Sequence, residues 1–133
     1  MIIDSSAIIA VFRGETDHTH LSAALKSRAR RSMSAATYLE TAIVADRNPN
    51  PTMGRELDRL LDEAGIEIVA VTQSQARIAR AAYKDFGRGS GHPARLNFGD
   101  CFAYALAVDR NEPLLYKGDN FGHTDVRNAL EDS

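Results

Sequence analysis

The first twelve residues, Met1-Ile2-Ile3-Asp4-Ser5-Ser6-Ala7-Ile8-Ile9-Ala10-Val11-Phe12, run from an apolar start through one acid and two hydroxyls into an apolar run at helical spacing. The pattern predicts a short buried strand that turns directly into a helix, with Asp4 at the strand exit. Crossover helices cover the faces of a parallel sheet, so strand exits open onto the crevice where such sheets bind ligands. Asp4 is then aimed at a site. On the alternative reading, Asp4 or Ser5 is only the cap that satisfies the first free helical N–H groups.

The rest of the chain repeats the strand-to-helix alternation. Arg13-Gly14-Glu15 reads as a turn, and Thr16 or Asp17 can cap a second helix with Leu21, Ala24 and Leu25 on its apolar stripe. Ser32-Met33-Ser34-Ala35 is a short strand. Residues 36–47 are helical, with Leu39, Ala42, Ile43 and Asp46 marking successive turns and Glu40 between them. Asn48-Pro49-Asn50-Pro51 stops that helix, since each proline removes a donor and biases its predecessor away from helix. Thr52 then caps a helix with Leu57, Leu60, Leu61 and Ala64 on one face, closed by Gly65. Ile66 to Val71 is the clearest strand, and Thr72 caps a helix running through Ala79, Ala82 and Phe86 to Gly87. Residues 88–93 are a Gly-rich loop, expected to be mobile. Asn97 begins a helix that is apolar nearly all round, hence buried, with Asp100 as the lone charge of residues 98–108. Leu114-Leu115-Tyr116 is a last short strand leading through Lys117-Gly118 to Asp119-Asn120, and residues 123–130 are expected to form one more helical turn with an exposed tail. The expected architecture is α/β, a three-layer sandwich in a single domain over residues 1–133, with a mostly parallel central sheet flanked by helices.

With 133 residues, 44% of them apolar and 26% charged, the chain can bury a core without staples. Its single cysteine excludes an internal disulfide. The opening segment has no basic leader and carries Asp4 in its middle, so neither a signal peptide nor a membrane span is expected, and the protein is placed in the cytoplasm. Sixteen basic residues against eighteen acidic leave a net charge of −2, which argues against retention on nucleic acid by bulk electrostatics alone. The densest basic run, Lys26, Arg28, Arg30 and Arg31, reads as a solvated helix end.

Four acids are out of keeping with their surroundings. Asp4 and Asp119 leave strands, Glu40 sits on a helix rich in apolar residues, and Asp100 opens a buried helix. Each has an ordinary explanation: a cap, a turn, a solvent-facing position, or a complement to the helix dipole. Burying an unpaired carboxylate costs roughly 2 kcal/mol or more, so several converging on one sheet edge require positive charge between them. Oxygen donors without His or Cys point to a hard cation, Mg²⁺ or Mn²⁺, and such an ion can bind a phosphodiester oxygen and acidify water for hydrolysis.

Taken together, Ile2-Ile3-Asp4-Ser5-Ser6, Ser34-Ala35-Ala36-Thr37-Tyr38-Leu39-Glu40, residues 96–107 around Asn97-Phe98-Gly99-Asp100, and residues 114–121 running on to Thr124-Asp125-Val126 resemble the PIN-domain ribonucleases, specifically the VapC-type toxins of bacterial toxin–antitoxin pairs. The resemblance implies Mg²⁺- or Mn²⁺-dependent endonucleolytic cleavage of single-stranded RNA by a metal-activated water. It implies Asp4, Asp100, Glu40 and Asp119 as catalytic metal ligands, with Ser6 orienting an acid or a water, and it implies a homodimer with a cognate antitoxin. Many members carry a second acid where this chain has Asn120, so Asn120 can ligate only through its carbonyl and Asp125 is an alternative contributor.

Other groups offer chemistry on paper. His18 and His20 cannot face one partner from a helix, His92 lies in the Gly-rich loop, and His123 is nearest Asp119. Cys101 in an apolar helix reads as packing. Arg88, Arg95 and Lys117 flank the acidic segments and can be phosphate ligands or plain surface charges. A non-catalytic acidic pocket that seats a partner's basic segment is the competing function, and a phosphoryl-transfer receiver or phosphatase fits poorly, because Asp4-Ser5-Ser6 lacks a second acid two residues on.

Overall fold

The computed structural model describes residues 1–131. Four short strands, β1 (Ile2–Ile3), β2 (Arg31–Ser34), β3 (Ile66–Val69) and β4 (Leu114–Leu115), form one parallel sheet in the order β3-β2-β1-β4. Six helices flank it: α1 (Ser5–Arg13), α2 (His18–Leu25), α3 (Ala35–Asp46), α4 (Thr52–Glu63), α5 (Gln73–Phe86) and α6 (Phe98–Arg110). A 3₁₀ turn covers Phe121–His123. The mixed order places β1 in the middle of the sheet, paired on both sides, so its exit lies at the centre of the strand ends.

Successive side chains on a strand point to opposite faces, and two-residue strands use this fully. Ile2 and Leu114 join the core formed with α5 and α6, while Ile3 and Leu115 join the one formed with α1, α2 and α4. The sheet is thus buried on both faces, and the three-layer sandwich expected from the alternation is what forms. The inner helix residues Ala103, Ala105, Leu106 and Ala107 are buried, as the nearly all-apolar composition of α6 requires. Among the described residues no helix is long and apolar enough to cross a membrane.

Several local expectations change. On α3 the buried residues are Thr37, Thr41 and Ala45, whereas Leu39 is 59% exposed and Ile43 is also exposed. Small side chains on the inward face let α3 pack closely between α1 and α6, and Thr41 Oγ1 satisfies itself by donating to the Thr37 carbonyl at 2.7 Å. β3 stops at Val69 and, as an edge strand, leaves Ile68 exposed. The helical turn after the last strand is the 3₁₀ turn at 121–123. Residues 124–130 form no further helix: Leu114 N–H donates to Arg127 O and Ala129 N–H to Leu114 O, both at 2.9 Å, covering the free edge of β4 before a turn at 129–131.

The loop after α5 is closed rather than open. Arg88 N–H donates to Leu96 O and Leu96 N–H to Phe86 O, each at 2.9 Å, and Ala94 and Leu96 are fully buried. Gly87 is needed here for space and not for its dihedral angles: a Cβ would fall 2.2 Å from the Tyr83 carbonyl oxygen. His92 accepts the Ala94 N–H at 3.1 Å and meets Phe86 edge-on, which gives it a role inside the loop.

Candidate active site

β1 ends after Ile3, and Asp4 takes the extended backbone of a helix N-cap, so its side chain turns back over the first turn of α1. Asp4 Oδ2 accepts from Ser6 N–H at 3.0 Å and Ser6 Oγ at 2.6 Å. Ser6 Oγ in turn accepts Lys117 N–H at 3.0 Å, which ties the exit of β4 to that of β1. The capping reading of Asp4 is therefore correct and incomplete. The residue is 2% exposed, and its second oxygen, Oδ1, is buried with no hydrogen-bond partner among the described residues.

Glu40 reaches the same place from α3. Its Oε1 accepts from Ser5 Oγ at 2.9 Å, and its carboxylate lies so close to Gly99 that a Cβ there would sit 1.9 Å from Oε2. A glycine in the first turn of α6 is what allows this approach, and a lone glycine inside a helical pattern is the signal that could have revealed it. Ser5 was read only as a possible cap; its link to Glu40 across 35 positions has no local signature.

Asp100 is locked at the start of α6 by a reciprocal capping box: Asn97 Oδ1 accepts Asp100 N–H at 2.8 Å, and Asp100 Oδ2 accepts Asn97 N–H at 3.0 Å. Asn120, in the loop after β4, and the Arg88 charge both favour the ionised form of Asp100. Asn97, read from the sequence only as the start of a helix, is a fixed part of the site, and the spacing Asn97-x-x-Asp100 is the signal that could have revealed it.

The electrostatics register the crowding. Burial pushes Asp4 up to about 7, the Ser6 hydrogen bonds pull it down in part, and the charges of Asp100 and Glu40 raise it further. Burial also raises Asp100, against the opposing pull of its Asn97 hydrogen bond, Arg88 and Asn120. Cys101 goes up to about 11, through burial and then the Asp100 charge, and its Sγ points to the Asn97 carbonyl, so it is a packing residue and not a thiolate nucleophile.

Asp4, Glu40 and Asp100 thus converge from three elements. Asp119 is exposed beside Asn120 at the rim, with no hydrogen bond or ion pair to the described residues. Asp125 accepts from Tyr104 Oη at 2.5 Å, and its charge is not among those acting on Asp4 or Asp100. Among the described residues no group of three or more His, Cys, Asp or Glu side chains is arranged to hold a metal ion as it stands. The chemistry of the donors still fits a hard cation: every donor is an oxygen, one buried Asp4 oxygen has no partner, and the charges acting on Asp4 are negative.

The PIN domain family model matches residues 1–127. The chain belongs to the PIN-domain family. It is 57% identical over 131 residues to Ribonuclease VapC28 of Mycobacterium tuberculosis, covering 98% of both chains. It is 50% identical over 129 residues to Ribonuclease VapC42 of the same species, covering 97% of this chain and 98% of the other. Two solved structures share the fold at low sequence identity. Mycobacterium tuberculosis VapC20, titled a Sarcin-Ricin loop cleaving toxin, has a TM-score of 0.71 at 13% identity, over 94% of this chain and 95% of that one. A toxin–antitoxin complex from Klebsiella pneumoniae has a TM-score of 0.65 at 17% identity, over 90% and 88%. In this chain paired β1 and β4 set their exits side by side, and Asp4, Asp100 and Glu40 come from the β1 exit, the start of α6 and α3.

Proposed function

We propose that this PIN-domain protein is an endoribonuclease, the toxin of a VapC-type toxin–antitoxin pair, that hydrolyses RNA phosphodiesters in the cytoplasm with Mg²⁺ or Mn²⁺. The observation that carries the reading is Asp4: a buried carboxylate with one unpartnered oxygen, in the field of Glu40 and Asp100, in a chain 57% identical to a relative named a ribonuclease. Asp4, Glu40 and Asp100 would hold the ion, with Asp119 as a fourth acid at the rim. A divalent ion there supplies charge for a phosphoryl oxygen and makes water easier to deprotonate.

The chain's own residues supply the rest. Ser6 fixes one Asp4 oxygen and leaves the other for the ion, Ser5 holds Glu40, and Asn97 holds Asp100. In the reaction a water oxygen bonds to phosphorus, one ester P–O bond breaks, and the departing ribose oxygen leaves as a hydroxyl.

Exposed apolar side chains support the partnership. Leu39, Ile43 and Val44 on α3, together with Phe98 at 77% exposure on α6, provide the apolar area for a second copy or an antitoxin segment. The test is cleavage of total bacterial RNA by purified protein in Mg²⁺, Mn²⁺ or chelator. Metal-dependent cuts, lost in Asp4→Ala and Asp100→Ala variants that stay folded, are the expected result. Tight binding of an Arg-rich peptide with no turnover in any metal would replace this reading with the non-catalytic acidic pocket.

A further inference from the structure

A polyanion can approach three acids only where positive charge receives it, and the sequence places Arg88, Arg95 and Lys117 beside the acidic segments. The structure separates them. Lys117 Nζ donates to the Thr16 carbonyl at 2.5 Å and stands 3.8 Å from Asp17 Oδ2, so it is already engaged away from the acids. Arg95 is exposed, and neither its backbone nor its side chain makes a hydrogen bond with the described residues, so nothing fastens it to the site.

Arg88 differs from both. Its backbone N–H is paired with Leu96 O, so it is fastened to the residue just before Asn97, the cap that locks Asp100. Gly87, paired in a bridge with Leu96, and Ser90 Oγ, which donates to Gly87 O at 2.6 Å, keep this neck closed. The guanidinium is exposed and makes no hydrogen bond or ion pair with the described residues. Arg88 is thus tied by its backbone to the strand-like neck that runs straight into the Asn97–Asp100 capping box at the start of α6. A planar guanidinium with free donors beside a carboxylate cluster suits two oxygens of a phosphodiester in a way that an ammonium does not.

We propose that Arg88 is the phosphate clamp of this site, held by the neck of the 87–96 loop so that its guanidinium donates to the non-bridging oxygens of an RNA phosphodiester lying against Asp4, Glu40 and Asp100. This rests on the ribonuclease reading and names a residue that binds substrate rather than the ion.

The test uses a short fluorescein-labelled RNA spanning a cleavage site first mapped on total bacterial RNA. Arg88→Ala should lower kcat/KM by roughly tenfold or more, mostly through KM. The log–log salt dependence of binding should become shallower by about 0.7. Arg88→Lys should recover the salt slope and only part of kcat/KM, because charge returns without the fork. The thermal midpoint and Mn²⁺ binding should not move, since the groups that close the neck, backbone groups and the Ser90 hydroxyl, are kept when the Arg88 side chain is changed. An Arg88→Ala enzyme with unchanged KM and salt slope overturns the clamp while leaving the nuclease intact. So does one whose defect is weaker Mn²⁺ binding and a displaced pH profile with the salt slope intact, because Arg88 then acts only through Asp100. If the parent protein cleaves no RNA in either metal, the ribonuclease reading fails and the clamp falls with it.

Discussion

Asp4, Glu40 and Asp100 are held in place by hydroxyls, a capping amide and a close-packed glycine, whereas Asp119 and Asp125 face water. In the first group the carboxylates are buried or half-buried, and two of them are pushed toward the neutral form. In the second, one makes no polar contact with the described residues and the other serves a tyrosine hydroxyl. Holding an acid where its charge is unwelcome is costly, and a fold tolerates it where something cationic is to be bound. The contrast divides the acids more sharply than their chain positions do.

The largest expected effect sets the two groups directly against each other. Asp4→Ala or Asp100→Ala should reduce metal-dependent cleavage by about 10³-fold or more. Asp119→Ala should cost about tenfold, ~1.4 kcal/mol of barrier. Initial rates on the mapped RNA, with circular dichroism to confirm folding, decide the order. A larger loss at Asp119 would break the comparison.

Stability should reverse that ranking. With Asp4 at about 7 when folded against 3.8 when free, the folded state keeps a proton the unfolded chain has released. On this residue's account stability is fullest below about pH 4 and falls as pH rises to 7. In a chelating buffer, Asp4→Asn should remove that slope and stabilise the protein at neutral pH by on the order of 3 kcal/mol. Urea unfolding at the two ends of the window measures it, and a destabilised Asn variant would mean the buried charge is better compensated than the geometry indicates.

Much of this was readable in residue order, and the limits are physical. The β1–α1 junction, the Thr72 cap and the helix opened by Asn97 carry local signals: an acid at a strand exit, a hydroxyl before a helix, an amide three residues before a carboxylate. The orientation of α3 could not be read by hydrophobicity, because Thr37, Thr41 and Ala45 are buried for their size while Leu39 and Ile43 face outward. The loop at 88–96 looked open because backbone groups close it, and backbone pairing leaves no mark on side-chain identity. Glu40 stands out in the sequence as an acid on a helix rich in apolar residues, but what fixes it, Ser5 and Gly99, lies on two other helices.

Gly99→Ala separates site geometry from stability. The new methyl requires the Glu40 carboxylate to move off its present position, while alanine is the better helix former by roughly 0.5–1 kcal/mol. Cleavage should fall by on the order of tenfold, with a thermal midpoint equal to or above that of the parent. Unchanged cleavage would show that Glu40 does not need its present position.

The smallest effect belongs to the water-facing group. Tyr104→Phe removes the hydrogen bond from α6 to Asp125 and should cost about 1 kcal/mol of stability. Cleavage should be unaffected, because Tyr104 touches the segment that covers the β4 edge and none of the three converging acids. Asp125→Asn keeps an acceptor for the tyrosine and should change neither quantity beyond a few tenths of a kcal/mol. Were Asp125→Asn to slow cleavage as Asp100→Ala does, Asp125 would have to swing from Tyr104 to the ion during turnover. The division between held and hydrated acids would then describe only the resting protein.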